Sequence, residues 1–345
     1  MHTVVAYYFR DDLFFRDYAV GWVNDILMYN SKLCAVFVTL VEVLLQRHSQ
    51  LEIFKRLSRL SESKKNIGLL SPSRFKEFCK QYLLKFGLCF TSILLMELKL
   101  ICSVVSYNVQ WSILWYLSIL LVSFSRFRIS FYILYMDLIR AQLTVIHDRL
   151  KEISVTIRRL QMAGPMANHA KVLSSITYLK NCYIEIWLLN VNVNNTLGWS
   201  TCFVLVSNFI HVCGYVYWIY LVLVKKAIAG LADLSAGLYP FTIMTVLLVH
   251  SAESCVRLAN SVQHLVLKIP ESADLGLHYV LDRFTCCIMQ QPIKFESHGL
   301  FEFDVKFFKM MITGFVTYMV MFIPFSSDVP EIGAAVNKSV GRHCY

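Results

Sequence analysis

The side chains in this sequence that could do chemistry are its cysteines, its histidines and a few charges inside apolar runs. The 11 cysteines and 10 histidines are dispersed along the chain. They form no pair of CxxC units and no HExxH motif, which are the spacings that zinc sites use. Serine, histidine and aspartate occur without a GxSxG elbow. The pattern therefore predicts no enzyme, no resident metal and no cofactor.

The charges inside apolar runs are more informative. Glu97 and Lys99 lie in the middle of the apolar run 86–107. A charge at that depth of a membrane is costly unless it faces protein or water. Because the two residues are two positions apart, a helix points them in different directions, and contact between them is not required. We expect each of them to face protein or a water-filled space.

The composition explains why these runs belong in a membrane. The chain has 345 residues, of which 57% are hydrophobic and only 16% are charged, with a mean hydropathy of +0.53. Soluble proteins carry roughly a quarter charged residues. The net charge is +10, but the basic residues cluster between apolar runs, as the positive-inside rule requires, and not on a nucleic-acid-binding module. The sequence predicts a polytopic membrane protein that contacts lipid and does not bind nucleic acid.

Six apolar runs are predicted to cross the membrane, and the charge between them sets their direction. Residues 47–80 carry nine basic residues against three acidic ones and are expected on the cytoplasmic side. Residues 1–25 then face outside. The predicted spans are about 26–45, 86–107, 111–136, 197–224, 238–255 and 307–326.

Several helical patterns continue beyond the spans as polar helices. The stretch 137–161 keeps an apolar stripe at spacings of three and four residues, interrupted by Gly164 and Pro165. We expect cytosolic helical extensions over about 137–195 and 256–306, with 270–298 as the least regular stretch. The predicted fold is all-α, a single domain over 1–345: a polytopic transmembrane helical bundle with helices extended into a cytosolic anchor bundle.

Aromatic residues gather at the predicted outer ends of the spans. They suit either an interfacial aromatic belt or an apolar-walled ligand pocket between helices. On the second interpretation, the candidate ligand-binding residues are Trp111, Trp115, Tyr217, Trp218 and Tyr239.

The last apolar run carries a recognisable motif. Thr317 and Tyr318 are followed by five apolar residues, Pro324 and Phe325. This resembles the signature of the insect gustatory receptor family, whose last helix carries Thr-Tyr, five hydrophobic residues and Gln-Phe. The approach to the run is similar to the family's approach as well, at Gly299, Phe301 and Asp304.

The resemblance implies a function. The family consists of tastant-gated, non-selective cation channels of the plasma membrane, in which four identical or related subunits place their last helices around a pore. It implies a small-molecule tastant as ligand and pore or gate roles for five residues. These are Thr317, Tyr318, Ile323, Pro324 and Phe325, with a ring of Phe325 side chains that closes the pore by dewetting.

Three departures leave alternatives open. The family has seven spans, so we expect the first to be lacking here, with 1–25 as the loop that follows it. Pro324 replaces the family's glutamine, which alters conduction or is tolerated at a helix end. Met319 replaces the glutamate of sugar-sensing members and favours a bitter-type or orphan receptor. A non-conducting, truncated relic is one alternative. A G-protein-coupled-receptor-like protein is the other, because Asp148 and Arg149 resemble the acidic-Arg pair of those receptors.

Overall fold

The fold, a computed structural model, is described for residues 19–65, 72–105, 109–163, 169–224, 231–269 and 275–322. Within these ranges the chain forms eight helices and no strand longer than one isolated bridge. The predicted all-helical bundle is confirmed. The helices are α1 (Ala19–Leu45), α2 (Arg47–Lys65), α3 (Pro72–Val105), α4 (Val109–Ala163), α5 (His169–Val224), α6 (Leu231–Leu267), α7 (Leu275–Gln290) and α8 (Val305–Phe322).

Four of the described helices are long and apolar enough to cross a membrane. The qualifying stretches are Ile26–Leu45, Val122–Arg158, Ala170–Val224 and Leu231–Leu267. They overlap four of the six predicted spans. The runs 86–107 and 307–326 do not meet the same criterion within the described residues, and their role as spans stays a prediction.

Helices α4 and α5 are far longer than a membrane is thick. They contain 55 and 56 residues, which at 1.5 Å per residue is about 80 Å each. The hydrocarbon core of a bilayer is only about 30 Å thick. Each helix therefore continues well beyond any single crossing. The two helices pack on each other and on α6 around one shared core. Buried members of that core from the polar half of α4 are Leu143, Ile146 and Leu150.

Helix α2 is formed by the basic stretch that follows α1. This charged helix has a short apolar face. Ile53 on that face is fully buried, and Leu57, one turn later, packs on the main core of the bundle. Arg56 bonds Glu52 within the helix and lies 3.7 Å from Glu185 of α5. Part of the predicted cytoplasmic loop 47–80 is therefore a helix, and this helix packs on α5.

Helix α7 corrects the expectation that 270–298 is irregular. Residues Leu275–Gln290 form a helix whose buried positions are spaced by four, three and four residues. That spacing is the signal of a helix packed on one face. Its members are Leu277, Leu281, Phe284 and Ile288.

Candidate ligand cavity and pore helix

Helix α8 has two chemically different faces. Phe307 is buried, and Phe308 and Met311 pack against the main core. The opposite face is exposed and carries every lysine and threonine of the helix. These residues are Lys306, Lys309, Thr313 and Thr317. An exposed polar face on an apolar helix is unfavourable against lipid, since the lysines and hydroxyls would lose their hydration there.

The Thr317–Tyr318 pair splits between these two faces. Thr317 is exposed, and its hydroxyl donates to the carbonyl of Thr313 at 3.0 Å. The Tyr318 hydroxyl donates to Asn24 Oδ1 of α1 at 3.1 Å, so the tyrosine anchors α8 to a different helix. Ile323, Pro324 and Phe325 lie outside the described residues. Their gate role stays a prediction.

Tyr318 also contacts a small aromatic cluster at the end of α5. Tyr217, Trp218 and Leu221 are buried there, and Tyr318 packs against them. Gly214 of α5 lets α1 approach this point, because a Cβ at that position would lie 2.3 Å from the sulfur of Met28. The anchor of the last helix therefore joins α1, α5 and α8.

The approach to α8 is a tight hairpin. Glu296 and Glu302 form an antiparallel bridge, and the chain reverses between them through His298 and Gly299 at φ of 45° and 73°. Glycine adopts such a positive φ without a steric penalty. Asp304 then begins α8, with its Oδ1 accepting the Phe307 N–H at 2.8 Å. Two residues of the motif's approach therefore have local structural roles, one as a turn and one as a helix cap.

Phe301, the remaining residue of that approach, belongs to an aromatic cluster. Its ring stacks on Phe307 with centroids 4.8 Å apart and meets Phe303 edge-on at 5.5 Å. Phe303 in turn lies edge-on to Tyr132 of α4, at 5.6 Å. These rings fix the base of α8 against the core.

The hairpin is also fastened to α5. The Ser297 hydroxyl donates to the Gly198 carbonyl at 2.8 Å, and the Asn194 amide donates to the Lys294 carbonyl at 2.8 Å. The His298 ring stacks on Trp199 at 4.9 Å. A hydrogen bond to the Glu302 carboxylate, followed by that group's charge, raises the pKa of Lys294.

The cap on α8 gives a first testable prediction. Replacing Asp304 by alanine leaves the Phe307 N–H without its acceptor and is expected to cost about 1 kcal/mol of stability. Asp304→Asn keeps an oxygen acceptor and is the matched control. Thermal unfolding of the purified variants measures the difference. Equal melting temperatures for alanine and asparagine would show that the cap does not stabilise α8.

A buried ionic network joins α1, α4 and α5. Arg128 donates to Glu42 Oε2 at 2.8 Å, to Ser200 Oγ at 2.8 Å and to the Thr196 carbonyl at 3.0 Å. Glu42 also accepts the main-chain N–H groups of Trp199 and Ser200, at 3.0 and 3.2 Å. Both charged side chains are less than a tenth exposed. The pair is fully hydrogen-bonded, which is the condition under which burial of two charges is tolerated.

Glu97 and Lys99 find separate partners. Glu97 is buried and accepts a hydrogen bond from Arg126 of α4. Lys99 is half-exposed, with its Nζ 3.6 Å from Asp233 Oδ1 of α6. The expectation that the two residues face protein or water fits this arrangement, in which neither contacts the other.

A small cavity lies beside the Glu97–Arg126 pair, between α1, α4, α5 and α6. Its volume is about 20 Å³, enough for little more than one water molecule. Two cations, Lys32 and Arg126, share its wall with polar and apolar side chains. The other residues of the wall are Val122, Ser125, Ile129, Val204, Ser207, Asn208, Pro240, Phe241 and Met244.

The candidate ligand residues from the sequence lie elsewhere. Tyr217 and Trp218 are buried in the aromatic cluster that Tyr318 packs against, with their ring centroids 5.4 Å apart. The Tyr239 hydroxyl lies 3.0 Å from Ser92 Oγ, although the next two residues of its helix line the cavity. Trp111 and Trp115 are in α4, but their side chains lie outside what the structure describes. Sequence reasoning missed Lys32, for which the signal was a lone lysine in an apolar run.

The comparisons with known proteins decide the family. The family described as 7tm chemosensory receptor matches residues 1–328. The chain belongs to this family. The resemblance predicted from the last helix is confirmed at this level, and the chemosensory receptor is a membrane protein with at least the four apolar helices described above.

Solved structures agree on the fold of this chemosensory receptor. It is similar to the insect olfactory receptor OR5 from Machilis hrabei in complex with eugenol, with a TM-score of 0.65 and 12% identity, covering 89% of this chain and 82% of that one. A second structure of the same olfactory receptor gives a TM-score of 0.60 at the same identity and coverage. At this identity the likeness shows the fold alone. A comparison with curated proteins gives no match.

Proposed function

We propose that this chemosensory receptor is a taste receptor of the plasma membrane: a tastant-gated, non-selective cation channel with four identical or related subunits. Helix α8 of each subunit lines the central pore. The Lys-Thr face of α8 faces the water of the pore, and the Phe-Met face packs on the subunit's own core. The proposed gate is Phe325, which follows the described end of α8 in the sequence.

The observation that carries this proposal is the segregation of polar residues on α8. Lys306, Lys309, Thr313 and Thr317 share one exposed face, and the neighbouring exposed positions are apolar. A hydrated path beside this face removes the cost that lipid would impose. The hydroxyls of Thr313 and Thr317 bond their own helix backbone, so they offer a mildly polar wall and do not bind ions tightly.

The cavity between α1, α4, α5 and α6 supplies the ligand site in this proposal. It combines a few converging polar groups with apolar walls, as small-molecule sites do. The eugenol bound to OR5 of Machilis hrabei shows that a receptor of similar fold accepts a small molecule. Because the cavity is small, a ligand that prefers an expanded cavity shifts the receptor toward that state.

Current recordings test the proposal. The full chain is expressed in cells that lack other taste receptors, and currents are recorded under a panel of tastants with surface expression checked in parallel. We expect a ligand-evoked cation current that reverses near zero potential. Phe325→Ala is expected to leak without ligand, because the dewetted ring that closes the pore is removed. Normal surface expression of the wild-type chain and of Phe325→Ala, with no current in either, would contradict the proposed function.

A further inference from the structure

We propose that the cavity between α1, α4, α5 and α6 binds a small monovalent anion, with the Lys32 ammonium as its charge partner. The anion is either a halide ion or the carboxylate group of a short organic acid. This inference rests on the proposed function insofar as it names the ligand class of the same site.

The charges around the cavity do not balance. Lys32 and Arg126 lie on the wall, and none of the residues that line it is a carboxylate. Arg126 is already paired with Glu97. Lys32 makes neither a salt bridge nor a hydrogen bond to any residue in the part of the chain that the structure describes. One positive charge therefore remains uncompensated inside the bundle.

The Glu97 carboxylate, which is already paired with Arg126, also attracts the Lys32 ammonium, and the aromatic neighbours of Lys32 add only weak compensation. The Lys32 Nζ lies 5.7 Å from the ring centroid of Phe241 and 5.9 Å from that of Tyr29. Contacts of this kind supply about 0.5–2 kcal/mol. Removing an ammonium group from water costs several kcal/mol unless it is well paired. A bound anion is the partner that completes the pairing.

The remaining cavity wall can complete the binding of such an anion. The Ser31 hydroxyl donates to the Met28 carbonyl at 2.9 Å and lies 3.2 Å from the Ser207 hydroxyl, so Ser207 can donate its proton either to Ser31 or to a ligand in the cavity. The Asn208 amide makes only a long 3.4 Å bond to Thr245 and can donate elsewhere. The volume of about 20 Å³ suits a single ion or a carboxylate head group. A larger anion does not fit the cavity as it stands.

Thermal unfolding of the purified full chain in lipid nanodiscs tests the anion site without needing a current. Sodium chloride, sodium acetate and sodium gluconate are compared at equal ionic strength, and acetamide serves as a neutral analogue of acetate. We expect acetate, chloride or both to raise the melting temperature by about 2 °C at tenfold excess over the dissociation constant. A shift with both anions indicates a general small-anion site, and a shift with acetate alone indicates an organic-acid site. Gluconate and acetamide should produce no shift.

Two substitutions make the test specific. Lys32→Met removes the charge and keeps a side chain of similar length. We expect it to weaken binding of the anion by about tenfold or more. It should fold, because a methionine side chain fills the partly buried position without an ammonium group that has to be solvated or paired. Lys32→Arg keeps the charge and should retain part of the shift, while Lys99→Met is the matched control at an exposed lysine and should retain all of it.

Three outcomes would overturn the inference. These are no shift with either small anion, an equal shift with acetamide, or an unchanged shift in Lys32→Met. An anion-dependent shift that requires Lys32, in a receptor that carries no current, would instead support the anion site and contradict the channel function.

Discussion

Replacing Arg128 by methionine is expected to destabilise the folded receptor by about 3–5 kcal/mol, the cost of leaving a buried charge unpaired. Arg128 is the partner of Glu42 in the network that joins α1, α4 and α5. Without it, the carboxylate keeps two main-chain N–H donors but loses its counter-ion. A loss of this size is at least about a fifth of the stability of a typical domain, so we expect little mature protein at the cell surface.

A double substitution separates charge from shape. Glu42→Gln removes the stranded charge. Because Trp199 and Ser200 donate to different oxygens of Glu42, the single amide oxygen of glutamine keeps an acceptor for one of the two N–H groups. The Glu42→Gln, Arg128→Met receptor should therefore recover part of the lost stability, because the unpaired charge is gone although one buried N–H loses its acceptor. Lys99→Met is the control for loss of a half-exposed cation. Melting temperature and surface expression are the measurements, and a full surface level for Arg128→Met alone would contradict the assigned role of the pair.

Local patterns in the sequence were enough to predict the helices of the apolar runs. Hydropathy located the helices of all six apolar runs, and helical periodicity extended those of α4 and α5. The roles of Gly299 and Asp304 are equally local, since a positive φ and a helix cap depend on the residue itself and a few neighbours. The described structure agrees with the helix predictions, whereas the turn at Gly299 and the cap at Asp304 were not predicted from the sequence.

The helices α2 and α7 were missed for a different reason. Helix α2 is polar in composition, whereas α7 is mainly apolar but only 16 residues long and is flanked in sequence by Pro270 and Pro292. The buried stripe Leu277, Leu281, Phe284 and Ile288 was nevertheless present and could have been recognised. In α2, only Ile53 and Leu57 mark the packed face, which is too short a pattern to stand out within a basic segment.

Pairing between helices could not be predicted. Glu97 bonds a residue 29 positions away, and Glu42 bonds one 86 positions away. Hydropathy and periodicity identify each helix but do not specify how two helices rotate against each other. The cavity with Lys32 on its wall depends on the same rotations and could not be located from the sequence. The ligand prediction was therefore based on aromatic residues at span ends, such as Tyr217 and Trp218.

The second large effect is expected on the exposed face of α8. In Thr317→Cys, a water-soluble, positively charged methanethiosulfonate reagent should reach the thiol, attach a bulky cation and abolish most of the ligand-evoked current. Thr313→Cys, one turn away on the same face, should respond similarly. The reason is that a thiol reacts only where water and reagent can reach it.

The packed face provides the matched control. Met311→Cys places the same thiol on α8 but on its partly buried side, against the core, where the reagent has less access. The wild-type chain is treated in parallel, because Cys34, Cys102 and Cys286 are exposed. Any loss of current in the wild type is subtracted from that of the variants.

The central claim is that the Lys-Thr face of α8 lines the ion path, and comparison of Thr317→Cys with Met311→Cys tests it most directly. The measurement is the ligand-evoked current before and after reagent. We predict a large, lasting block in Thr317→Cys and a much smaller one in Met311→Cys. Full current in Thr317→Cys after exposure to the reagent, or an equal block in Met311→Cys, would contradict it.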